Sequence, residues 1–171
     1  MRSAAPAPHP IHGPSMQKTL LSYVKPHVQE DPLAMILGLA YLGASVEQHG
    51  LPVELADERI LTDQEMRAAI ERNDVIGFGA LTPNIRRAIA WAKYAKEQGK
   101  ITVMGGPHAS VDQGIFLDSG HFDYVLKGEA EETLPNFVKA LEGNDEAARR
   151  LLRRLRRRAG RGRRKRFRTR G

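Results

Sequence analysis

Short apolar runs alternate with amphipathic segments along most of this sequence, and that alternation is the feature that most restricts its fold. The apolar runs predict strands at 19–24, 52–56, 75–79, 101–104 and 124–126. The remaining periodic segments predict helices at about 32–50, 62–70, 82–99, 111–118 and 131–141. Apolar strands that are each followed by an amphipathic helix are typical of a parallel sheet covered on both faces. We therefore predict a doubly wound, Rossmann-like (flavodoxin-like) α/β fold with five strands in the order 2-1-3-4-5.

Composition divides the chain into three parts. Residues 1–16 contain four prolines among small and polar residues, so we expect a disordered leader. Residues 147–171 contain thirteen arginines, one lysine and no acidic residue, whereas the first 146 residues carry twenty acidic and thirteen basic side chains. The sequence pI of about 10 thus comes from the tail alone. We predict an acidic α/β body at 17–146 and a basic tail at 147–171.

The basic tail has two interpretations. Its start, 146–158, can form a helix with leucines on one side before Gly-Arg repeats follow, which favours an arginine-rich arm that binds RNA, DNA or another polyanion through phosphate contacts. Alternatively, arginine-dense sequence with glycine and alanine is what a GC-rich gene gives when it is read out of frame. In both cases we expect the tail to be disordered without a polyanion, because closely spaced like charges repel.

Several classes of protein lack their signature in this sequence. No apolar run reaches the ~18 residues of a membrane span, and the N-terminus has no signal-peptide pattern, so we expect a soluble, cytoplasmic chain with no membrane partner. There is no cysteine, which excludes disulfides, zinc-thiolate sites and ligation of an iron–sulfur cluster by these 171 residues.

Three predicted strands end in glycine-rich loops that meet at one edge of the sheet. The loops read GFGALTP at 77–83, GGPHAS at 105–110 and KGEAE at 127–131. One such loop alone is explained equally well by a tight turn, but three at one edge favour a ligand platform, because residues without a side chain let a ligand approach the backbone. Neither G-x-G-x-x-G after the first strand nor a Walker loop occurs, so nucleotide-binding interpretations lose their main support.

The order and spacing of these motifs resemble a known family. The segments 74–83, 103–110 and 122–135 are similar to the cobalamin-binding domain at the N-terminus of class B radical S-adenosylmethionine enzymes, which include methyltransferases and the anaerobic magnesium-protoporphyrin monomethyl ester cyclase. The segment 32–42 fits the same family, and the resemblance covers roughly 18–143. It implies a cobalamin cofactor at the carboxyl edge of the sheet and a radical S-adenosylmethionine domain or subunit as partner.

The resemblance also implies which residues bind the cofactor. Gly105 and Gly106 would line the channel for the nucleotide tail, between the sheet and the first helix, and a β-branched residue at 106 is expected to block that channel without disturbing the fold. Gly128 and Glu129 would lie where the corrin edge or a neighbouring domain rests. The other implied positions are Gly79, Ala80, Leu81 and Thr82 beside the tail, and Pro107 and His108 after the glycine pair.

The sequence departs from the family in two places. Domains that ligate cobalt through histidine carry Asp-x-His-x-x-Gly after the first strand, and the matching stretch from Lys25 to Glu30 keeps only His27. With no aspartate to hold the second ring nitrogen, His27 is either a cobalt ligand or a solvent-exposed loop histidine. The three-cysteine motif of the radical domain has no counterpart here.

Two main function hypotheses follow. The first is a cobalamin-binding module of a truncated or split B12-dependent radical enzyme, which has no catalysis of its own. The second is a nucleic-acid-associated protein that uses its arginine-rich arm. A receiver-like signalling domain is disfavoured, because Lys25-Pro26 and Gly79-Ala80 stand where its acidic residues and phosphoacceptor would be.

Overall fold

A computed structural model describes residues 17–25, 36–79, 81–111, 113–143 and 146–160, the last seven of these as backbone only. Its strands are β1 (Thr19–Tyr23), β2 (Val53–Asp57), β3 (Val75–Gly79), β4 (Ile101–Gly105) and β5 (Tyr124–Val125). Its α-helices are α1 (Ile36–Gln48), α2 (Asp63–Glu71), α3 (Ile85–Glu97), α4 (Pro107–Val111), α5 (Gly114–Ser119), α6 (Thr133–Glu142) and α7 (Glu146–Gly160). A 3-10 turn, Thr82–Asn84, precedes α3.

The five strands form one parallel sheet in the order β2-β1-β3-β4-β5, which confirms the predicted fold. The order changes direction between β1 and β3. In such sheets the carboxyl ends of the two strands at this switch point border a crevice, because the connections that follow them run to opposite sides. At that end, Tyr23 of β1, Gly79 of β3 and Gly105 of β4 are aligned in register.

Alternate strand residues supply two separate cores, one on each face of the sheet. The first core cluster packs under α2 and α3 and includes Leu20, Ile76, Phe78, Met104, Met66, Ile70 and Trp91. The second core cluster packs under α1 and α6 and includes Leu21, Val75, Val103, Val46, Leu134 and Phe137. Both faces of the sheet are therefore covered, as a parallel sheet requires.

The start of α2 is set by a capping box, as the Thr62 and Glu65 spacing in the sequence indicates. The hydroxyl of Thr62 accepts a hydrogen bond from the Glu65 N–H at 3.2 Å, and the Glu65 carboxylate accepts one from the Thr62 N–H at 2.7 Å. The bond from the Thr62 N–H, together with one that the Thr62 hydroxyl donates at 2.7 Å, also holds the pKa of the Glu65 carboxyl below its ordinary value.

The region after β4 differs from the prediction of one helix over 111–118. Two short helices are present, because Gly106, with φ of 92°, turns the chain sharply and Pro107 can begin α4 at once. The second short helix, α5, ends at Gly120, whose φ of 73° is a left-handed cap. The predicted leader 1–16 and the first residues of the predicted first helix lie outside the described residues.

Helix α7 also differs from the disorder expected for the basic tail. Ala148 is buried, and Leu151 and Leu152 pack against the second core cluster. Arg149 and Arg150 on the other side are exposed. Burial of this apolar stripe offsets the repulsion between arginines over 146–160, and residues 161–171 lie outside the described residues. Within the described ranges, no helix is both long enough and apolar enough to cross a membrane.

The contribution of α7 to stability can be measured. Replacing Leu151 and Leu152 together by alanine should lower the free energy of unfolding by about 2 kcal/mol, because both half-buried side chains leave the second core cluster. Urea unfolding followed by circular dichroism measures the change. The matched control, Arg150→Ala on the exposed side of the same helix, should stay within about 0.5 kcal/mol of wild type. Equal stability of the double variant and the control would contradict the docking of α7.

Candidate functional site

A cleft of about 530 Å³ opens at the carboxyl edge of the sheet. Strands β1, β3 and β4 form its floor, α1 forms one wall, and the segment from β5 to the start of α6 closes the opposite side. Its volume falls within the roughly 300–1,000 Å³ of typical small-molecule sites. The cleft lies on the face of the second core cluster, where that core gives way to solvent.

The floor of the cleft consists of two rows of residues that run across the sheet. The inner row is Leu21, Gly77 and Val103, and the outer row is Tyr23, Gly79 and Gly105. Among the described residues, a Cβ atom built on Gly79 or Gly105 would meet no atom within 4 Å, whereas one on Gly77 would lie 2.9 Å from a methyl carbon of Leu21. The space above Gly79 and Gly105 is therefore open only because both residues lack a side chain.

The helical wall of the cleft also contains a glycine. Gly38, Leu39 and Leu42 of α1 line the cleft, and a Cβ on Gly38 would meet no atom of the described residues within 4 Å. Glycine within a helix costs about 1 kcal/mol relative to alanine, and no packing atom in the described part of the chain requires Gly38 to lack a side chain. The residue widens the cleft opposite the bare floor.

Ser110 joins the two loops at the mouth of the cleft. Its hydroxyl accepts a hydrogen bond from the Gly128 N–H at 3.0 Å and donates one to the carbonyl of Gly106 at 3.2 Å. Gly106 and Gly128 have φ values of 92° and 82°, where side chains other than glycine are strained. The expectation that a β-branched residue at 106 leaves the fold undisturbed is therefore wrong, and Gly105 is the better position for such a change.

The structure brings most of the sequence-predicted site residues together. Those that line the cleft are Gly79, Gly105, Gly106, Pro107, Gly128 and Glu129. Three others are described but are not part of the lining: Thr82 and His108 contact each other, Oγ1 to Nδ1, at 3.0 Å, and the Leu81 N–H bonds to Asn84 Oδ1 at 2.7 Å. Ala80 and His27 lie outside the described residues.

The apolar walls were missed by sequence reasoning. Leu39 and Leu42 of α1 line one side of the cleft and Leu126 and Leu134 line the other, and the sequence analysis singled out none of these leucines as a site residue. The spacing of Gly38 and Leu42, four residues apart on one helix face, was the one available signal. No group of three His, Asp or Glu side chains in the described part of the chain is placed to hold a metal ion.

An ion pair stacked on Tyr23 borders the cleft on the β2 side. The Arg59 guanidinium lies 4.6 Å from the centre of the Tyr23 ring and 2.6 Å from Asp57, at the end of β2. Burial raises the pKa of Asp57, but hydrogen bonds from the side chain and the N–H of Arg59 outweigh burial and hold that pKa below its ordinary value. The pair therefore stays charged near neutral pH and fixes the ring at the edge of the floor.

Glu58 connects neighbouring segments of the chain beside the Asp57 and Arg59 pair. Its carboxylate is completely buried and accepts hydrogen bonds from the Lys25 N–H at 3.0 Å, the Trp91 indole N–H at 2.8 Å and the guanidinium of Arg87. A buried carboxylate needs such partners to offset the loss of water. Glu58 thereby ties the ends of β1 and β2 to α3.

Comparison with known families gives a match for this region. A family model described as the B12 binding domain matches residues 35–138. The matched range runs from the residue before α1 into α6 and so includes the helical wall of the cleft, β3, β4 and the two loops joined by Ser110. Strand β1 lies ahead of it.

The chain is also similar to individual proteins. It is 33% identical over 75 residues to the anaerobic magnesium-protoporphyrin IX monomethyl ester cyclase of Cereibacter sphaeroides, an alignment that covers 42% of this chain and 12% of that protein. Among solved structures, the N-terminal domain of a hypothetical protein from Thermotoga maritima has 26% identity and a TM-score of 0.46, with 59% of this chain and 81% of that one covered. A flavodoxin from an archaeon has 10% identity and a TM-score of 0.44, with coverages of 85% and 99%.

The Asp57 and Arg59 pair gives a pH-dependent prediction. Because the folded pKa of Asp57 lies below its ordinary value of 3.8, the pair stabilises the fold above that value and its contribution is lost as pH falls through the folded pKa. Asp57→Asn should lower the free energy of unfolding near neutral pH by about 1 kcal/mol.

Urea unfolding of Asp57→Asn and wild type across a series of pH values measures this difference. It should shrink as pH falls below 3.8. The control Asp118→Asn, at an exposed carboxylate on α5, should show no such dependence. A difference that stays constant with pH would show that Asp57 acts through packing instead of charge.

Proposed function

Because the chain belongs to the B12-binding domain family, we propose that its cleft holds the nucleotide tail of cobalamin, with the corrin resting at the carboxyl edge of the sheet. The family gives the cofactor class, a corrinoid. The observation that carries the proposed position of the nucleotide tail is the part of the outer row without side chains, where Gly79 and Gly105 lie side by side under open space.

The shape of the cleft fits a flat heterocycle that is connected to a ribose phosphate. A planar ring needs a smooth floor, and the backbone of Gly79 and Gly105 gives one without the ~1.5 Å that a Cβ bond adds. Leucines on α1 and after β5 supply apolar surface on both sides. Gly106, Gly128 and Glu129 at the mouth would then border the polar edge of the corrin.

The proposed role of this chain is to bind and orient the cofactor. When bound, a corrinoid supplies alkyl-transfer or radical chemistry at cobalt. The residues of this chain contribute a dry, fixed site through the Ser110 bridge between two loops and the Glu58 network beneath β1. These contacts hold the edge of the sheet in one arrangement before the cofactor binds.

We further propose that this module works with a radical S-adenosylmethionine domain or subunit. The chain spans 12% of the length of the cyclase that it resembles, so it corresponds to a small part of such a protein. Its 171 residues include no cysteine that could ligate an iron–sulfur cluster. The cluster, and with it the radical chemistry, would come from that partner.

Cobalamin binding is tested by titrating hydroxocobalamin into the purified chain and recording its visible spectrum. The spectrum should change as the benzimidazole base leaves cobalt and its tail is buried. Gly105→Ala should weaken binding slightly and Gly105→Val at least about tenfold, because each added carbon occupies the open space above β4. In the described part of the chain no atom lies within 4 Å of a Cβ at position 105, so both variants should stay folded.

The control is Leu55→Val on β2, which is 46% exposed and lies outside the cleft. This variant should bind like wild type. Wild-type affinity in Gly105→Val would show that the tail does not pass over β4. No binding up to ~1 mM, which corresponds to less than ~4 kcal/mol of binding free energy, would overturn the cobalamin proposal for this chain.

A second candidate function rests on α7. Because its apolar side is packed on the body, the helix presents Arg149 and Arg150 outward from a fixed support. Guanidinium groups bind nucleic-acid phosphates through charge-assisted hydrogen bonds. We propose RNA or DNA binding along this face as the alternative function, separate from the cleft.

Salt dependence distinguishes this function from cofactor binding. Replacing Arg149 and Arg150 by alanine should reduce the slope of log K against log salt for a single-stranded RNA by roughly 1.4, which corresponds to two lost phosphate contacts. The matched control replaces Arg86 and Lys93, two exposed cations of α3. Fluorescence anisotropy over a range of salt concentrations measures both slopes, and equal slopes for the two variants would exclude a specific role for α7.

A further inference from the structure

We propose that the cleft selects the lower base of the corrinoid and favours a benzimidazole over a purine. This inference rests on the proposed function, since it assumes that the nucleotide tail occupies the cleft. Corrinoids differ in this base: dimethylbenzimidazole carries two methyl groups and no exocyclic amine, whereas adenine carries an amine and additional ring nitrogens. The walls of the cleft meet these two bases very differently.

The inner part of the cleft is lined by hydrocarbon. Leu21 and Val103 of the floor are each 2% exposed, and Leu126 and Leu134 opposite α1 are 3% and 2% exposed. All four belong to the second core cluster, which Leu42 of α1 completes. A base that reaches this depth is therefore surrounded by carbon atoms of the core.

Tyr23 lies in the outer row of the floor against Arg59, and the other polar side chains of the described lining are turned away from this inner part, already paired, or exposed at the mouth. Ser22 lies on β1 between Leu20 and Val24, which belong to the first core cluster, so its hydroxyl is directed to the other face of the sheet. The hydroxyl of Ser110 both donates and accepts a hydrogen bond within the loops. Glu129 and Glu131 are exposed at the mouth.

The backbone of the inner floor is engaged as well. Gly77 lies on β3, which pairs with β1 on one side and with β4 on the other. Its N–H and C=O groups are therefore held by the sheet ladders, and the same is true of Leu21, which lies between β2 and β3. The described floor thus offers the inner end of the tail no free donor or acceptor.

The consequence for a purine is a buried polar group without a partner. The exocyclic amine of adenine would lose its water and gain no hydrogen bond in this part of the cleft. A binding site discriminates strongly between two ligands when one of them leaves a buried polar group without a hydrogen-bond partner. A benzimidazole places methyl groups against the same leucines and has no exocyclic amine to desolvate, so we expect it to bind about 10- to 100-fold more tightly than the adenine analogue.

Three corrinoids test the inference by spectroscopic or calorimetric titration of the full chain. They are hydroxocobalamin, the corresponding corrinoid with adenine as its lower base, and cobinamide, which has no nucleotide. The expected order of affinity is hydroxocobalamin first and the adenine form at least tenfold weaker. Equal affinity for the two bases, with cobinamide weaker, would overturn the base selection while supporting the proposed function. Absence of binding by all three would instead overturn the proposed function itself.

A paired substitution on α1 tests the cause of the selectivity. Leu42→Gln introduces an amide into the cleft and should narrow the affinity ratio between the two bases severalfold, because the amide can bond to the purine amine. The control is Leu37→Gln on the same helix, which is 61% exposed and not part of the described lining, and it should keep the wild-type ratio. An unchanged affinity ratio in folded Leu42→Gln would contradict selection by the apolar wall. If that variant does not fold, the affinities of the wild-type chain for the three corrinoids still test the base selection.

Discussion

Two glycines paired across adjacent strands are the constraint on which the cleft depends. Gly79 and Gly105 are register partners at the carboxyl ends of β3 and β4, and neither has a backbone conformation or, among the described residues, a packing neighbour that requires glycine. Glycine in a strand loses packing and conformational entropy, so local stability would favour almost any other residue. The two glycines leave space open for a ligand. This space lies beside the switch point of the sheet, where the connections after β1 and β3 run to opposite sides.

Gly79 and Gly105 contribute no side-chain contacts to the carboxyl edge of the sheet, and polar contacts on two sides of the cleft hold this edge in place. Ser110 connects the loops after β4 and β5 through its single hydroxyl, and the turns that it connects depend on positive φ at Gly106 and Gly128. On the other side of the cleft, the buried carboxylate of Glu58 connects Lys25 to α3. Both sets of contacts are hydrogen bonds at the edge of an apolar core. Hydrogen bonds are directional, so they fix the orientation of the loops and strand ends, which hydrophobic burial alone does not do.

The strands, their order and the glycine floor could be predicted from the sequence because each depends on local signals: apolar runs, breakers and the topological rules of parallel sheets. The wall formed by Gly38 and Leu42 could not, because one helical stripe serves both core and cleft and the sequence does not show where the core ends. The strain at Gly106 was missed for a related reason. A Gly-Gly pair does not reveal which of its members has positive φ, and only the structure separates Gly105 in the strand from Gly106 in the turn.

The docking of α7 adds apolar contacts to the core that borders the cleft. The second core cluster receives no side chains from Gly79 and Gly105 at its carboxyl end. Ala148, Leu151 and Leu152 extend it from the other side, next to α6 and β5. The sequence analysis expected disorder because closely spaced arginines repel each other. That repulsion acts between groups exposed to water, where screening by solvent and salt keeps each pairwise repulsion small. The leucines lie on the side of the helix that faces the body. A helix with so many like charges is therefore held on the body by a few apolar contacts with the second core cluster.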